Sequence, residues 1–293
     1  MLTADRSSVL IEALTKKDLP QVHELVEQLR WTHVEADLEI MFRVGFFWGA
    51  RSRNGEIIAA GALFPYGDDL ASIGMIMVSP DHQRKGYGQA VMEVLHKSDM
   101  AQGRRLCLIA TSEGEPLYRK LGYQKVSRIR KFFADPKLVL EKSQTYSLPR
   151  YTMRDVTAED IPKLANLDGQ SLGANREKLL GLRFTQSDAG VVIEDNLGKA
   201  IAFSFSCPQR QQRHIGPIAA PDRDTALAMV FALAERGPQE IRIDVPEEQP
   251  GLHELLPELG FRLIANPPAM MREANQYPGE RGGYWAVMSQ AYG

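Results

Sequence analysis

Cysteine is scarce: Cys107 and Cys207, in 293 residues, are too few and too far apart for a disulfide framework. Each lies in an apolar, strand-like run, as a reduced and buried side chain in a reducing compartment would. No apolar run reaches the roughly 18 residues of a membrane span, and the N-terminus lacks a signal-peptide core. No membrane partner is therefore expected, and the expected location is cytoplasmic. A formal net charge of −2 lacks the basic excess of nucleic-acid binders, so no nucleic-acid partner is expected either. The 6 histidines show no metal-ligand spacing with cysteine or carboxylate partners, and no metal is expected. The sequence has no Gly-Lys-Ser/Thr phosphate loop, and the first glycine of a dinucleotide fingerprint is missing. A serine triad has no nucleophile elbow to support it. What remains, 44% apolar and 25% charged, is a soluble globular composition, with length for two ordinary domains.

One stretch organises the rest. Met75-Ile76-Met77-Val78 is an apolar run that stops at Pro80, and a basic turn, Gln83-Arg84-Lys85-Gly86-Tyr87-Gly88-Gln89, follows. Ala90-Val91-Met92-Glu93-Val94-Leu95 then continues at helical spacing. A strand, a glycine turn and a helix start in succession make an anion site, because backbone N–H groups converge where the helix dipole favours negative charge. Gly86 and Gly88 leave the backbone bare for close approach of a phosphate. Gly-x-Gly alone marks an ordinary tight turn; its position directly after a strand and at a helix start makes the signal specific.

This stretch resembles the acyl-CoA loop of the GNAT acetyltransferase superfamily, Arg/Gln-x-x-Gly-x-Gly/Ala, with Gln83, Gly86 and Gly88 at the matching positions. The resemblance implies that Ile76, Met77 and Val78 line the thioester arm of acetyl-CoA. It also implies that Gln83, Arg84, Lys85, Gly86, Tyr87, Gly88 and Gln89 hold its phosphates.

Along the chain, Ser8–Leu14 reads as a strand and Thr15-Lys16-Lys17-Asp18 as a capping box opening a helix through Leu29. Arg30–Gly45 reads as a loop and a second helix. Strands Phe46–Arg51 and Glu56–Phe64 meet at an Asn54-Gly55 hairpin. The strand and glycine turn come next, with a helix to about Met100. A strand over Arg105–Thr111, a helix over Glu115–Leu121 and a strand over Gln124–Phe133 complete an α/β pattern. Residues 136–149 have no periodicity and read as a linker. The opening pattern then returns. Thr15 to Pro20 reappears as Thr157 to Pro162, Pro80 as Pro221 and Gly122 as Gly260, at offsets of 142, 141 and 138. Three matches in order indicate a duplicated domain, in a layout of 1–135, linker 136–149, and 150–293. The second copy is shorter where the loop should be, offering Arg223-Asp224-Thr225-Ala226 with no glycine and an added carboxylate. It reads as having lost the cosubstrate.

The C-terminal half resembles the second domain of tandem GNAT proteins of the YitH type. The match is carried by Leu167-Asp168, Gly173-Ala174-Asn175-Arg176, His214-Ile215-Gly216-Pro217-Ile218-Ala219 and Leu259-Gly260-Phe261. Together the two resemblances imply two tandem GNAT-like α/β domains, each a mixed, mostly antiparallel sheet flanked by helices.

Acyl transfer to an amine needs a held thioester, an oxyanion donor, a neutral amine and a proton for the thiolate. A bulged strand at Ile76–Val78 can turn an N–H toward the carbonyl. Tyr118 is the candidate catalytic residue, placed where many GNAT enzymes carry a tyrosine near the CoA sulfur; its alternative is packing. In the second copy Leu256 takes that place. No carboxylate occurs on Leu106–Thr111, so the base is left to Glu35, Asp37, Asp68, Asp69 or water. As solvated charges those carboxylates need no such role. Arg84, Lys85, Arg119 and Lys120 can screen the cosubstrate's phosphates or form an ordinary basic face. Trp31, Phe46, Phe47 and Trp48 read as core, or as an apolar acceptor pocket. With no activated cysteine, the expected activity is direct transfer of acetyl to a primary amine of a small acceptor. The rival is a non-catalytic sensor of acyl-CoA or a metabolite.

Overall fold

A computed structural model describes residues 10–147 and 152–292. In the first copy, strands β1 (Glu12–Leu14), β2 (Phe46–Arg51), β3 (Ile57–Tyr66), β4 (Leu70–Val78), β5 (Arg105–Ile109) and β6 (Tyr123–Ala134) alternate with four helices. These are α1 (Leu19–Gln28), α2 (Glu35–Val44), α3 (Tyr87–Lys97) and α4 (Glu115–Lys120). The second copy runs through β7 (Thr152–Asp155), α6 (Ile161–Leu172), α7 (Glu177–Gln186), β8 (Ala189–Glu194), β9 (Ala200–Gln209) and β10 (Gln212–Ala219). It continues with α8 (Arg223–Ala234), β11 (Glu240–Pro246), α9 (Pro250–Glu258), β12 (Arg262–Ala265), β13 (Pro268–Arg272) and β14 (Tyr284–Ala286). Local chemistry repeats between the copies. The Thr15 N–H donates to the Asp18 carboxylate at 2.7 Å and the Thr157 N–H to Asp160 at 2.9 Å. Gly122 and Gly260 end their helices at φ 88° and 89°, a left-handed conformation that favours glycine.

Three expectations change. Of the strand read over Ser8–Leu14, Glu12–Leu14 is strand and residues 8 and 9 lie outside the described residues. β4 begins at Leu70 instead of Met75, through a turn at Gly67 that the sequence reading passed over. Residues 136–149, which read in sequence as a linker, contain a helix, α5, over Pro136–Ser143. Asp135 caps it, accepting from the Lys137 N–H at 2.9 Å, and Pro136 fits the first turn. Only Pro136 and Val139 are buried there, too few for a helical period to show.

The strands form one 14-stranded sheet in the order β1-β2-β3-β4-β5-β13-β6-β11-β10-β9-β8-β7, with β12 also on β6 and β14 on β10. Among the described strands, the parallel pairs are β4–β5 and β10–β11, at equivalent places in the two copies. At the centre the copies trade strands. The first part of β6 pairs with β13, from Arg272↔Tyr123 to Pro268↔Arg128, and β13 pairs on its other side with β5. The second part of β6, Ile129–Ala134, lies between β11 and β12. Each half's sheet is thus completed by a strand from the other half, and Ala269, Met270 and Met271 of β13 are wholly buried.

Candidate active site

β4 and β5 pair only from Leu70↔Arg105 to Ser72↔Cys107 and then diverge. On its other edge β4 carries an extra residue: Ala60 faces Met77 while Ala62 faces Gly74, and Met75 lies at φ 55° within this bulge. The divergence leaves one edge of the bulged strand facing a cleft. Ile76 and Val78 are half-buried, whereas the Met77 side chain is 1% exposed and packs in the core. Met77 can therefore serve the cleft only through its backbone.

Past Val78 the chain makes a short 3₁₀ turn over Pro80–His82 and enters α3 through Gly86, at φ 88°. The first helical bond of α3 is Ala90 N–H to the Gly86 carbonyl, 3.0 Å. The amides of residues 84–89 precede that ladder and donate to none of the described residues. Lys85 Nζ donates to the Asp81 carbonyl at 2.7 Å and Gln89 to Glu93 at 2.8 Å, while the Arg84 side chain is exposed. A Cβ at Gly88 would meet Leu117 at 3.5 Å and Val78 at 3.7 Å, ordinary contacts. The protein's own packing does not require glycine there, so the bare backbone serves whatever approaches from outside. Free amides, a helix N-terminus and nearby cations fit a pyrophosphate.

α4 brings Tyr118 to the same cleft. Its ring packs over Gly114 and lies 6.1 Å from the Tyr123 ring, while the hydroxyl makes no hydrogen bond with the described residues. Burial pushes its pKa above the ordinary phenol value, which keeps the proton in place. The cleft, of about 250 Å³, is lined by residues of both copies. Trp31, Thr32 and His33 precede α2, and Ser289, Gln290 and Ala291 belong to the C-terminal segment. That segment is pinned to the first copy. Tyr66 donates its hydroxyl to the Tyr292 carbonyl at 2.8 Å, and a Cβ on Gly74 would sit 2.4 Å from the Ala291 oxygen.

The equivalent gap in the second copy is filled by the chain itself. β10 and β11 pair from Gln212↔Glu240 to Ile215↔Ile243, and β14 then enters, with Ile218↔Ala286 and Ala219↔Tyr284. On the far side the Val287 N–H donates to the Asp244 carbonyl at 2.9 Å. β10 thereby gains the pairing that β4 lacks. At the head of α8 the Asp222 carboxylate accepts from the Thr225 N–H at 2.8 Å, so an anion already occupies the helix start.

The carboxylates considered for the base are dispersed. Glu35, Asp68 and Asp69 are exposed, and Asp68 pairs with Arg104 at 3.4 Å. Asp37 is not the solvated charge expected of it: it is 1% exposed. It accepts from Arg183 at 3.2 Å and Gln186 at 2.7 Å, both on α7 of the other half. Burial alone would raise its pKa; the nearby His33 imidazole, the Arg183 charge and the Gln186 hydrogen bond outweigh that and hold it low. His33 lines the cleft with Nδ1 3.7 Å from the Asp37 carboxylate. The sequence reading assigned His33 no role, although its four-residue spacing to Asp37 at the start of α2 was visible. Lys131, Arg242 and Gln290 also reach the cleft, and no local motif marks them. Trp31 lines it too, whereas Phe47 is buried in the core, stacked 4.0 Å from Phe42. Burial pushes the thiols of Cys107 and Cys207 up to about 11, and neither lines the cleft.

A bulged strand running beside a short parallel pairing recurs in the two copies, and in the first it splays open and leads into a glycine turn; the arrangement is that of a tandem acyltransferase fold. Two family models, each described as an acetyltransferase (GNAT) domain, match residues 43–125 and 164–286, and the chain belongs to the GNAT acetyltransferase family. It is 30% identical over 263 residues to the uncharacterized N-acetyltransferase YitH of Bacillus subtilis, spanning 88% of this chain and 89% of that one. It is 25% identical over 280 residues to the holothin acyltransferase of a Pseudoalteromonas species, spanning 93% of this chain and 90% of the relative. A putative acetyltransferase from Pyrococcus horikoshii has the same fold, with a TM-score of 0.82 at 18% identity, covering 100% and 99% of the two chains.

Proposed function

We propose that the first copy transfers acetyl from acetyl-CoA to the primary amine of a small acceptor, by direct attack in a ternary complex. The observation that carries this reading is the convergence on one cleft of the bulged β4 edge, the Tyr118 hydroxyl and His33, at the end of a strand that leads into free turn amides. In this reading the 84–89 amides, with Arg84 and Lys85, hold the pyrophosphate, and the unpaired edge of β4 takes the thioester arm. A backbone N–H at the Met75–Met77 bulge faces the carbonyl oxygen, where negative charge develops. His33, backed by the Asp37 carboxylate, takes a proton from the acceptor's ammonium. The amine nitrogen then bonds to the acetyl carbon, the carbon–sulfur bond breaks, Tyr118 gives its proton to the departing thiolate, and the proton lost by the new amide nitrogen restores the phenol. The buried, un-ionised cysteines favour direct transfer over an acyl-enzyme. A cleft of about 250 Å³ suits a small acceptor better than a polypeptide segment.

CoA release from acetyl-CoA across a panel of amines tests the proposal. Tyr118→Phe should keep acetyl-CoA affinity and lose kcat by about 10²-fold. A phenylalanine variant at full rate would remove Tyr118 from the mechanism. An acyl-CoA sensor would bind acetyl-CoA and release no CoA with any amine.

A further inference from the structure

The cleft carries a charge imbalance. Arg30, Lys131 and Arg242 line it, and no aspartate or glutamate does. Arg242 forks onto Asp244 at 3.0 and 2.5 Å, which uses that carboxylate. Lys131 lies across from Asp244 in the β6–β11 ladder but forms no hydrogen bond or ion pair with the described residues. Its ammonium sits 6.0 Å from the Phe133 ring centroid. His214, 3.8 Å from Asp244, adds no charge near neutral pH, because burial lowers its pKa to about 3. Lys131 is thus left without its own anion beside an Arg242–Asp244 pair that is almost wholly buried. Burial, and then the Arg242 charge, lowers the Lys131 pKa, as befits a cation without its own anion. A second donor on the same cleft is also unanswered: Gln290 Nε2 is buried with no hydrogen-bond partner. Buried side-chain donors usually find a partner in protein, water or a bound group.

We infer that the acceptor carries a carboxylate as well as its amine, making it an amino acid, and that Lys131 and Gln290 receive that carboxylate. The inference rests on the acyltransferase reading and specifies its substrate class. Trp31, Ile73, Leu108 and Ile109 complete the lining and suit an apolar side chain. A polyamine would instead bring a second cation toward Lys131 and Arg30, with no carboxylate on the cleft to meet it. The site exists only because the halves trade strands, since Lys131 lies on the part of β6 inserted beside β11.

The test is calorimetry of the CoA-saturated protein with leucine, phenylalanine and methionine, each against its decarboxylated amine: isoamylamine, phenethylamine and 3-(methylthio)propylamine. At least one amino acid should bind tenfold or more tightly than its amine. Lys131→Met should abolish that preference with acetyl-CoA affinity unchanged, which also shows that the variant folds. Gln290→Leu should weaken the same binding. Equal binding of acid and amine, an unchanged Lys131→Met variant, or no binding of any amino acid would overturn the inference. Amino acids that bind without CoA release would leave the carboxylate site standing and count against the acetyltransferase reading alone.

Discussion

Severing the chain after Ser147 leaves both copies of the duplicated sequence nearly whole, yet it should abolish folding of the first. The fragment 1–147 loses β13, which lies between β5 and β6. Met270 and Met271 are wholly buried there, one facing the core cluster under α3 and the other the cluster under α1 and α2. Burying a methionine side chain contributes about 1.5–3 kcal/mol, so the two together supply about 3–6 kcal/mol. The cut also leaves β5 with an open edge and Ile129–Ala134 without β11 and β12. Against a net domain stability of about 5–15 kcal/mol, the two methionines alone remove a large share, and the opened sheet edges take more. Far-UV circular dichroism melts and acetyl-CoA calorimetry on fragments 1–147 and 148–293, alone and mixed, give the readout. Neither fragment should melt cooperatively alone, and mixing should restore acetyl-CoA binding. A fragment 1–147 that melts cooperatively and binds acetyl-CoA like the full chain would refute the reasoning.

Asp37→Asn leaves Arg183 buried without its carboxylate and should cost about 3–5 kcal/mol by urea denaturation; under 1 kcal/mol would show the pair is dispensable. His33→Gln should lower kcat by about 10²-fold at unchanged acetyl-CoA affinity, whereas a raised KM at full kcat would make His33 a binding group only. His214 has its folded-state pKa lowered to about 3 by burial, against about 6.5 unfolded. The unfolded chain therefore takes up the proton first, and stability falls as pH drops below 6.5 toward 3, by about 2 kcal/mol at pH 5. In His214→Leu that part of the slope should vanish, and a stability difference between variant and parent that is the same at pH 8 and pH 5 would contradict it.

Local signals carried the duplication and the glycine turn because each is written in contiguous residues. Thr15 and Asp18 close a capping box three residues apart, Gly86 needs a left-handed backbone, and strand Phe46–Arg51 ends at its expected boundaries. Features built by distant chain segments were not legible. Nothing in Pro268–Arg272 says that it pairs with β5 rather than with a neighbour, since its two buried faces give no alternation to read. Lys131 and Gln290 reach the cleft only through the strand exchange and the returning C-terminal segment, and in sequence they are an ordinary lysine and glutamine. The degenerate turn after Pro221 points, in the sequence, to a second copy without its cosubstrate. That β14 fills the gap there required the register of β10.

The central claim is a single acyl-CoA site, in the first copy, with the second occupied by the chain's own β14. Calorimetric titration of the intact protein with acetyl-CoA measures this directly, with Gly86→Glu as the comparison. One equivalent per chain, lost when a carboxylate and a side chain enter the left-handed position at Gly86, is the predicted result. Two equivalents, or one that survives Gly86→Glu unchanged, would contradict the account.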